Sequence, residues 1–183
     1  MATPNLGGIL RLRGRLVKNP TTLAGSFPFG GTPLGLTRNA IFRYGTKTTD
    51  VVAEEFGGKV IEKVFVTDMA VFAAVMRDYD VDMIKTIFPS VPIGSLVRHV
   101  KTDRGSLVSP RAFKLLFVPL AETAHPYILI YKALPALEET AELQLNAGVE
   151  IGVAAMFTAI PDDDTTPPGK LYEIGTKSEI SLT

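Results

Sequence analysis

The sequence predicts a mainly β fold, an antiparallel β-sandwich or partial barrel with one short flanking α-helix and long loops. Several segments alternate apolar and polar side chains with the period of 2 that is typical of a half-buried strand. Helical spacing is seen at residues 80–88. Closely spaced strands around one short helix favour an antiparallel sandwich or barrel. The alternating segments lie at residues 9–17, 95–102, 111–119, 127–134, 137–145 and 149–160.

The composition suits one globular domain with long arms. The chain has 183 residues, 19 acidic and 19 basic side chains, and no Cys. This length predicts a single domain over residues 1–183. Disulfide and thiolate chemistry are excluded because Cys is absent. Since neither a signal peptide nor an apolar run of membrane-spanning length is apparent, we expect synthesis in the cytoplasm and no membrane contact.

The first predicted strand, at residues 9–17, has a basic outer face. Arg11, Arg13 and Arg15 alternate with leucines and project from one side. A charged outer face is usual for a half-exposed strand, so the favoured interpretation is a solvated face or a salt bridge to a neighbouring subunit. Binding of phosphate groups is the alternative.

A Gly- and Pro-rich segment at residues 19–39 predicts a long loop or arm. It is much longer than the usual connection of about 4–6 residues. Its apolar side chains include Phe27, Phe29 and Leu34. We expect a partner surface to cover these side chains.

Residues 59–77 predict an apolar β-hairpin. A short strand at residues 40–44 and a polar stretch that ends in Phe56 precede it. Thr67 and Asp68 separate two apolar runs and are read as the turn. The second run is apolar on both alternating faces, with Val71 on one face and Phe72 on the other. Such a strand is typically covered on both sides.

The helix at residues 80–88 is amphipathic, ends before Pro89, and is expected to lie over one face of the sheet. Near the end of the sequence, residues 161–169 predict a loop. Residues 171–174 predict a last short strand, and residues 175–183 a free tail.

Residues that carry catalytic or metal chemistry do not form recognisable patterns. His99 and His125 lack the spacing of zinc ligands. The sequence contains neither a phosphate-binding glycine loop nor a GxSxG elbow. Asp162, Asp163 and Asp164 lack the spacing of a calcium loop, so a solvated turn is the favoured interpretation. We therefore expect a protein that is not an enzyme and has no metal or other cofactor.

Four short stretches, taken with the apolar segment at residues 60–76 and the helix, carry a family likeness. These stretches are Phe42-Arg43-Tyr44-Gly45, Ala53-Glu54-Glu55-Phe56-Gly57, Phe157-Thr158-Ala159-Ile160-Pro161-Asp162 and Gly169-Lys170-Leu171-Tyr172-Glu173-Ile174-Gly175. In layout and local sequence, most of the chain resembles the tail tube, or major tail, proteins of long-tailed bacteriophages.

The resemblance implies a structural virion protein that assembles with itself. Six subunits would close into a ring, and rings would stack into a tube that conducts the genome during ejection. The implied partners are other copies of the chain, a tape-measure protein and tail completion proteins. DNA would pass through without specific binding, and the protein would reside in the virion tail.

The resulting candidate residues fall into two groups. Subunit-interface candidates are Arg11, Arg13, Arg15, Phe27, Phe29, Leu34, Phe56, Val71 and Phe72. Channel-facing acidic candidates are Asp68, Asp78, Glu150, Asp162, Asp163 and Asp164.

Two other functions stay open at this stage. The first is a tail completion, adaptor or distal tail ring protein with the same scaffold, whose rings would not stack. The second is a nucleic-acid-binding β-barrel that uses the basic face of the first strand. The predicted first strand contains no aromatic residue for bases to stack on, which weighs against the second alternative.

Overall fold

The computed structural model describes residues 10–53, 58–77, 83, 86, 91–93, 96–98, 111–135 and 152–183. These residues form a mainly β, antiparallel structure. Its strands are β1 (Leu10–Lys18), β2 (Thr32–Ala53), β3 (Lys59–Met76), β4 (Val91–Ile93), β5 (Leu96–Arg98), β6 (Phe113–Pro119), β7 (Tyr127–Pro135), β8 (Val153–Ile160) and β9 (Tyr172–Gly175).

Six of these strands close into an antiparallel barrel. The strand order is β6-β1-β2-β3-β8-β7, and β6 also pairs with β7, which completes the circle. Strand β1, near the start of the chain, pairs with the later strand β6, and in this pairing Gly14 lies opposite Pro119. Strand β9 pairs with the first half of β7, beside β8. The described sheet is therefore a closed barrel, and the expected sandwich arrangement is not confirmed.

The predicted hairpin at residues 59–77 is wrong. Strand β3 runs without a turn for 18 residues and pairs along its whole length with the 22-residue strand β2. Thr67 and Asp68 lie inside β3, where the register shifts between Lys47 and Thr48 of the partner strand. A register irregularity of this kind accommodates an extra residue without ending a strand. The hairpin consists of β2 and β3 instead.

The loop after β1 is also shorter than predicted. Strand β2 begins at Thr32, so only residues 19–31 connect it to β1. Leu34 is 2% exposed and belongs to the barrel core.

The barrel interior is filled with apolar side chains from every wall. Phe42, Phe72, Phe117 and Phe157 are each at most 2% exposed and are part of one continuous cluster. Phe72 and Phe117 have ring centroids 5.4 Å apart. Interiors packed in this way lose stability when a side chain is truncated, because the cavity left behind does not collapse fully.

A second apolar cluster lies on the outside of β1, β6 and β7. The loop at residues 19–31 contributes Phe29, and residues 176–183, which we call the strap, contribute Ile180. Both side chains are buried, together with Leu116 of β6 and Leu129 of β7. Residues 176–183 are therefore not a free tail, because they pack on this face of the barrel.

The flanking helix predicted at residues 80–88 lies mostly outside the described residues. Met83 and Thr86 are described and have helical backbone. Met83 is fully buried in the barrel core, and Thr86 accepts a hydrogen bond from Lys18 Nζ at 3.4 Å. The predicted strands at residues 137–145 and the first residues of the strand predicted at 149–160 also lie outside the described part.

Candidate assembly surface

The far halves of β2 and β3 form a two-stranded ribbon, defined here as residues 43–53 and 59–70. Pairing between β1 and β2 extends to Phe42, and pairing between β3 and β8 extends to Val71. Beyond these points, β2 and β3 pair only with each other among the described residues. Eleven residues of β2 correspond to a ribbon about 36 Å long, at a rise of about 3.3 Å per residue.

The base of the ribbon is joined to the barrel by an aromatic group. The Phe42 ring centroid lies 5.0 Å from that of Tyr172 and 6.3 Å from that of Tyr44. Burial raises the pKa of the Tyr172 hydroxyl, and the neighbouring Tyr44 and Asp68 raise it further. Contacts between aromatic rings at these distances favour a fixed orientation, so the ribbon leaves the barrel in a defined direction.

Exposed apolar side chains concentrate on β2 and β3. Within the described part, six large apolar residues are more than a third exposed. All of them except Leu120 lie on β2 or β3. A mixed set of charges accompanies them, including an ion pair between Lys63 and Asp50 at 3.4 Å. The other five exposed apolar residues are Tyr44 (42%), Val60 (50%), Val64 (47%), Met69 (59%) and Val75 (37%).

The two faces of β3 differ in burial within this chain, although its sequence predicts a strand that is covered on both sides. Phe72 is 1% exposed and points into the barrel. Val71 is half-buried on the outer face, opposite Arg43 of β2 and Thr158 of β8. Of these two interface candidates, Val71 is therefore accessible to a neighbour, whereas Phe72 is a core residue of its own chain.

The loop candidates are covered by the chain itself. Phe29 is 2% exposed, and its ring packs edge-on against Phe27 and Tyr127, with centroids 6.4 Å apart in both pairs. Lys177 of the strap lies over the Phe29 ring at 4.8 Å and donates a hydrogen bond to the Gly25 carbonyl at 2.7 Å. A partner is not needed to cover Phe29 or Leu34, because both are already buried.

The basic face of β1 is partly occupied by the same loop. Arg13 and Arg15 are exposed, and the Arg15 guanidinium carbon lies 4.9 Å from the centroid of the half-buried Phe27 ring. The fold thus places an aromatic ring beside the basic strand, although the strand sequence has none. The side chain of Arg11 lies outside the described part.

The acidic candidates separate into buried and exposed residues. Asp162 is 8% exposed, and its carboxylate lies 2.7 Å from Lys132 Nζ and accepts the Asp164 backbone N–H at 3.3 Å. The predicted solvated turn is therefore wrong at Asp162, which ties its loop to β7. Asp68, Asp163 and Asp164 are exposed. Phe56, Asp78, Glu150 and His99 lie outside the described residues.

Charge partners set the ionisation of Asp162. Burial on its own raises the pKa of this carboxyl, but hydrogen bonds from Lys132 and the Asp164 backbone outweigh it, and the pKa is lowered. Asp162 is therefore a charged, hydrogen-bonded residue at neutral pH.

An open groove of about 680 Å³ lies where the loop, the strap and the turn between β6 and β7 meet. Its lining includes Leu23, Glu122, Tyr127 and Lys177. The Tyr127 hydroxyl donates to Glu122 at 2.5 Å, and burial followed by this bond raises the Tyr127 pKa. In this lining no hydroxyl is paired with His, the arrangement that would activate a nucleophile.

The described residues form neither a candidate metal site nor a candidate membrane-spanning helix. They contain no group of three or more His, Asp or Glu side chains that could hold a metal ion. Nor do they include a helix with the length and apolar character that a membrane span requires.

Comparison with known proteins adds no family assignment. Neither the family models nor the curated proteins compared with the chain gave a match.

Proposed function

We propose that this chain is a structural virion protein, a subunit of hexameric rings that stack into a phage tail tube and conduct the genome during ejection. The observation that carries the proposal is the ribbon at residues 43–53 and 59–70. It projects from a closed barrel, its two outer edges have no strand partner among the described residues, and its faces carry exposed apolar side chains.

The two edges of the ribbon are complementary to each other. Strand β2 runs away from the barrel and β3 returns, so the β3 edge of one copy can pair antiparallel with the β2 edge of the next. When copies are related by rotation about an axis parallel to the ribbon, the same β3-to-β2 contact forms between each pair of neighbours, and the copies close into a ring. Ring closure satisfies every edge, whereas a lone ribbon leaves both exposed.

The charge of the ribbon is compatible with passage of DNA. Residues 43–53 and 59–70 contain four basic side chains (Arg43, Lys47, Lys59 and Lys63) and three acidic ones (Asp50, Glu62 and Asp68). Tight binding to phosphates requires a clear excess of positive charge. A nearly balanced surface favours transit over binding.

The proposal extends to location and partners. The protein would be synthesised in the host cytoplasm and reside in the virion tail, with a tape-measure protein and tail completion proteins as partners. The helix at residues 80–88 would flank the barrel. Met83 and Thr86 have helical backbone, Met83 lies in the core, and Thr86 hydrogen-bonds to Lys18 of β1, which supports this placement.

Assembly of the full chain tests the proposal. Sedimentation and negative-stain microscopy should show six-fold rings and stacked tubes for the unchanged protein. Val60→Lys with Val64→Lys should abolish these particles, because each charge replaces an apolar side chain that is about half exposed on the ribbon. Leu120→Lys is the matched control, since Leu120 is 51% exposed but lies outside the ribbon.

The outcomes separate the structural alternatives. Closed rings that never stack would favour the adaptor or completion protein. A strictly monomeric chain under every assembly condition, or particles that survive both ribbon charges, would contradict the proposed use of the ribbon.

One contact favours nucleic-acid binding as a second candidate. The stack of Arg15 on Phe27 supplies the aromatic ring that such a surface uses beside basic groups. Salt-dependent binding of single-stranded DNA that disappears in Arg13→Ala with Arg15→Ala would support this function. Binding that is absent in the unchanged protein would remove it.

A further inference from the structure

The strap at residues 176–183 is attached to the barrel mainly by side-chain contacts. It belongs to none of the strands of the described sheet. Its apolar contacts come from Ile180, which is 7% exposed, and the partly buried Leu182. A short segment with two apolar anchors can open at a lower free energy than the barrel beneath it.

Lys177 anchors the start of the strap to the loop, through the Gly25 carbonyl and the Phe29 ring. The other polar contacts between the strap and the barrel form one small network. Glu173 of β9 accepts the Ser181 backbone N–H at 2.9 Å and pairs with Lys170 Nζ at 3.3 Å. Lys170 Nζ also lies 3.5 Å from the Thr183 carbonyl oxygen. Lys114 of β6 donates to the Leu182 carbonyl oxygen.

Tyr131 of β7 completes this network. Its hydroxyl oxygen lies 3.0 Å from the Ser181 carbonyl oxygen and 3.4 Å from Lys170 Nζ. The hydroxyl has a single proton, and both the Ser181 carbonyl and Glu173 are acceptors for it. Glu173 therefore holds the strap directly at the Ser181 backbone N–H and, through Lys170, indirectly at the Thr183 carbonyl oxygen.

The charged groups that face this network come from every neighbouring element. Strand β6 supplies Lys114, the loop before β9 supplies Lys170 and Asp162, and β7 supplies Tyr131 and Lys132. Within the strap, Glu179 accepts hydrogen bonds from the Thr176 backbone N–H at 2.8 Å and from its hydroxyl at 2.7 Å. Glu179 thus shapes the turn of the strap, whereas Glu173 joins the strap to the barrel.

We propose that the strap is a latch that opens as a unit and is held closed by Glu173, so that neutralising this carboxylate uncovers the apolar outer face of β6 and β7. This device goes beyond the proposed function and does not depend on it.

The sign of the pH dependence follows from the contacts. Burial alone raises the pKa of Glu173, but hydrogen bonds from Tyr131, Ser181 and Lys170 outweigh it, and the folded-state pKa falls below the usual 4.5. The contribution of Glu173 is then present above pH 4.5 and is lost as the pH falls through the lowered pKa. The latch opens on the acid side.

Hydrogen exchange of the full chain at pH 7 tests the latch without a pH change. In Glu173→Gln, the amides of Glu179, Ile180 and Ser181 should exchange together at least about tenfold faster, the scale of losing one hydrogen bond to a charged group. The amides of β7 should keep their rate. Exchange that rises at Ser181 alone would overturn the proposal, because it would show only a weaker acceptor for that one amide.

Two further variants complete the test. Glu179→Gln makes the same chemical change inside the strap, and opening as large as in Glu173→Gln would overturn the role of Glu173. If the β7 amides also exchange faster in Glu173→Gln, a second variant is needed. Ser181→Pro removes the hydrogen bond from the Ser181 N–H to Glu173 by a change in the strap itself. Faster exchange of the strap alone in Ser181→Pro supports the latch, and joint exchange of strap and β7 in both variants overturns it.

Discussion

At Gly14 the barrel wall leaves no space for a side chain. A Cβ atom at this position would overlap the Phe117 ring and the Val118 carbonyl oxygen of β6. The Gly14 N–H donates to Thr37 Oγ1, and that hydroxyl donates to the Gly14 carbonyl, both at 3.1 Å. Thr37 is 4% exposed, so these two bonds satisfy buried polar groups where β1 passes between β2 and β6.

We expect Gly14→Ala to lower the free energy of unfolding by at least about 1–3 kcal/mol, the usual cost of overpacking a core. Gly45→Ala is the matched control, because a Cβ atom there meets nothing within 4 Å, and its effect should stay within about 0.5 kcal/mol. Urea unfolding of both variants measures the difference. Equal losses would show that the space around Gly14 can adjust.

Asp162 should make stability depend on pH in acid. Its folded-state pKa lies below the usual 3.8, so its stabilising contribution is present above that pH and is lost as the pH falls through the lowered value. Asp162→Asn should therefore be less stable than the unchanged protein at pH 7, and the difference should shrink towards pH 2. Thermal unfolding across this range measures it. Asp163→Asn, at an exposed neighbour, should follow the unchanged protein.

At the scale of elements, β6 is buried on both of its faces, as is the first part of β7. Leu115 points into the barrel cluster, and Leu116 points into the outer cluster beneath the strap and the loop. Leu116→Ala should therefore cost about 2–5 kcal/mol, as for a core residue. Leu120→Ala, at a position that is 51% exposed, should have little effect. Denaturant unfolding checks this, and a cost below about 1 kcal/mol for Leu116→Ala would mean that the outer cluster contributes little.

The sequence predicts the positions of most described strands because alternation depends on neighbouring residues. It does not predict that β3 continues through Thr67 and Asp68 as one strand. Thr67 and Asp68 look like a turn because they are polar residues between apolar runs, yet pairing with β2 continues past them. On a ribbon that is open to solvent, polar side chains interrupt no core, so the partner strand determines the strand length. The sequence correctly identifies the apolar runs on either side as strand, but it does not show that they form one continuous strand.

The same limit applies to the candidate surface. Alternation separates Val71 from Phe72 and predicts that they lie on opposite faces, which the burial of Phe72 confirms. Composition alone suggested that Phe29 needs a partner, but the strap that covers it lies about 150 residues further along the chain, as the contact from Lys177 to Gly25 shows. Such distant contacts leave no local periodicity in the sequence.

For the whole molecule, barrel closure also depends on contacts between residues that lie far apart in the sequence. The pairing of Gly14 with Pro119 joins residues more than 100 positions apart, so no local pattern distinguishes a closed barrel from a sandwich. Closure gives the barrel strands partners on both sides, whereas the ribbon extends beyond this pairing and is, among the described residues, the longest part of the sheet without outer strand partners. The strongest candidate for self-association is therefore set by the topology of the whole chain.

Hydrogen exchange can locate the assembly contact directly. In the dilute monomer, amides of residues 43–53 and 59–70 that take no part in the pairing of β2 with β3 should exchange faster than those of β6 and β7. In assembled particles the outward-facing ribbon amides should become protected, since edge pairing gives them an acceptor. The amides of β6 provide the internal reference, because both faces of this strand are already buried. Particles that form without any added protection of the ribbon would show that another surface drives assembly.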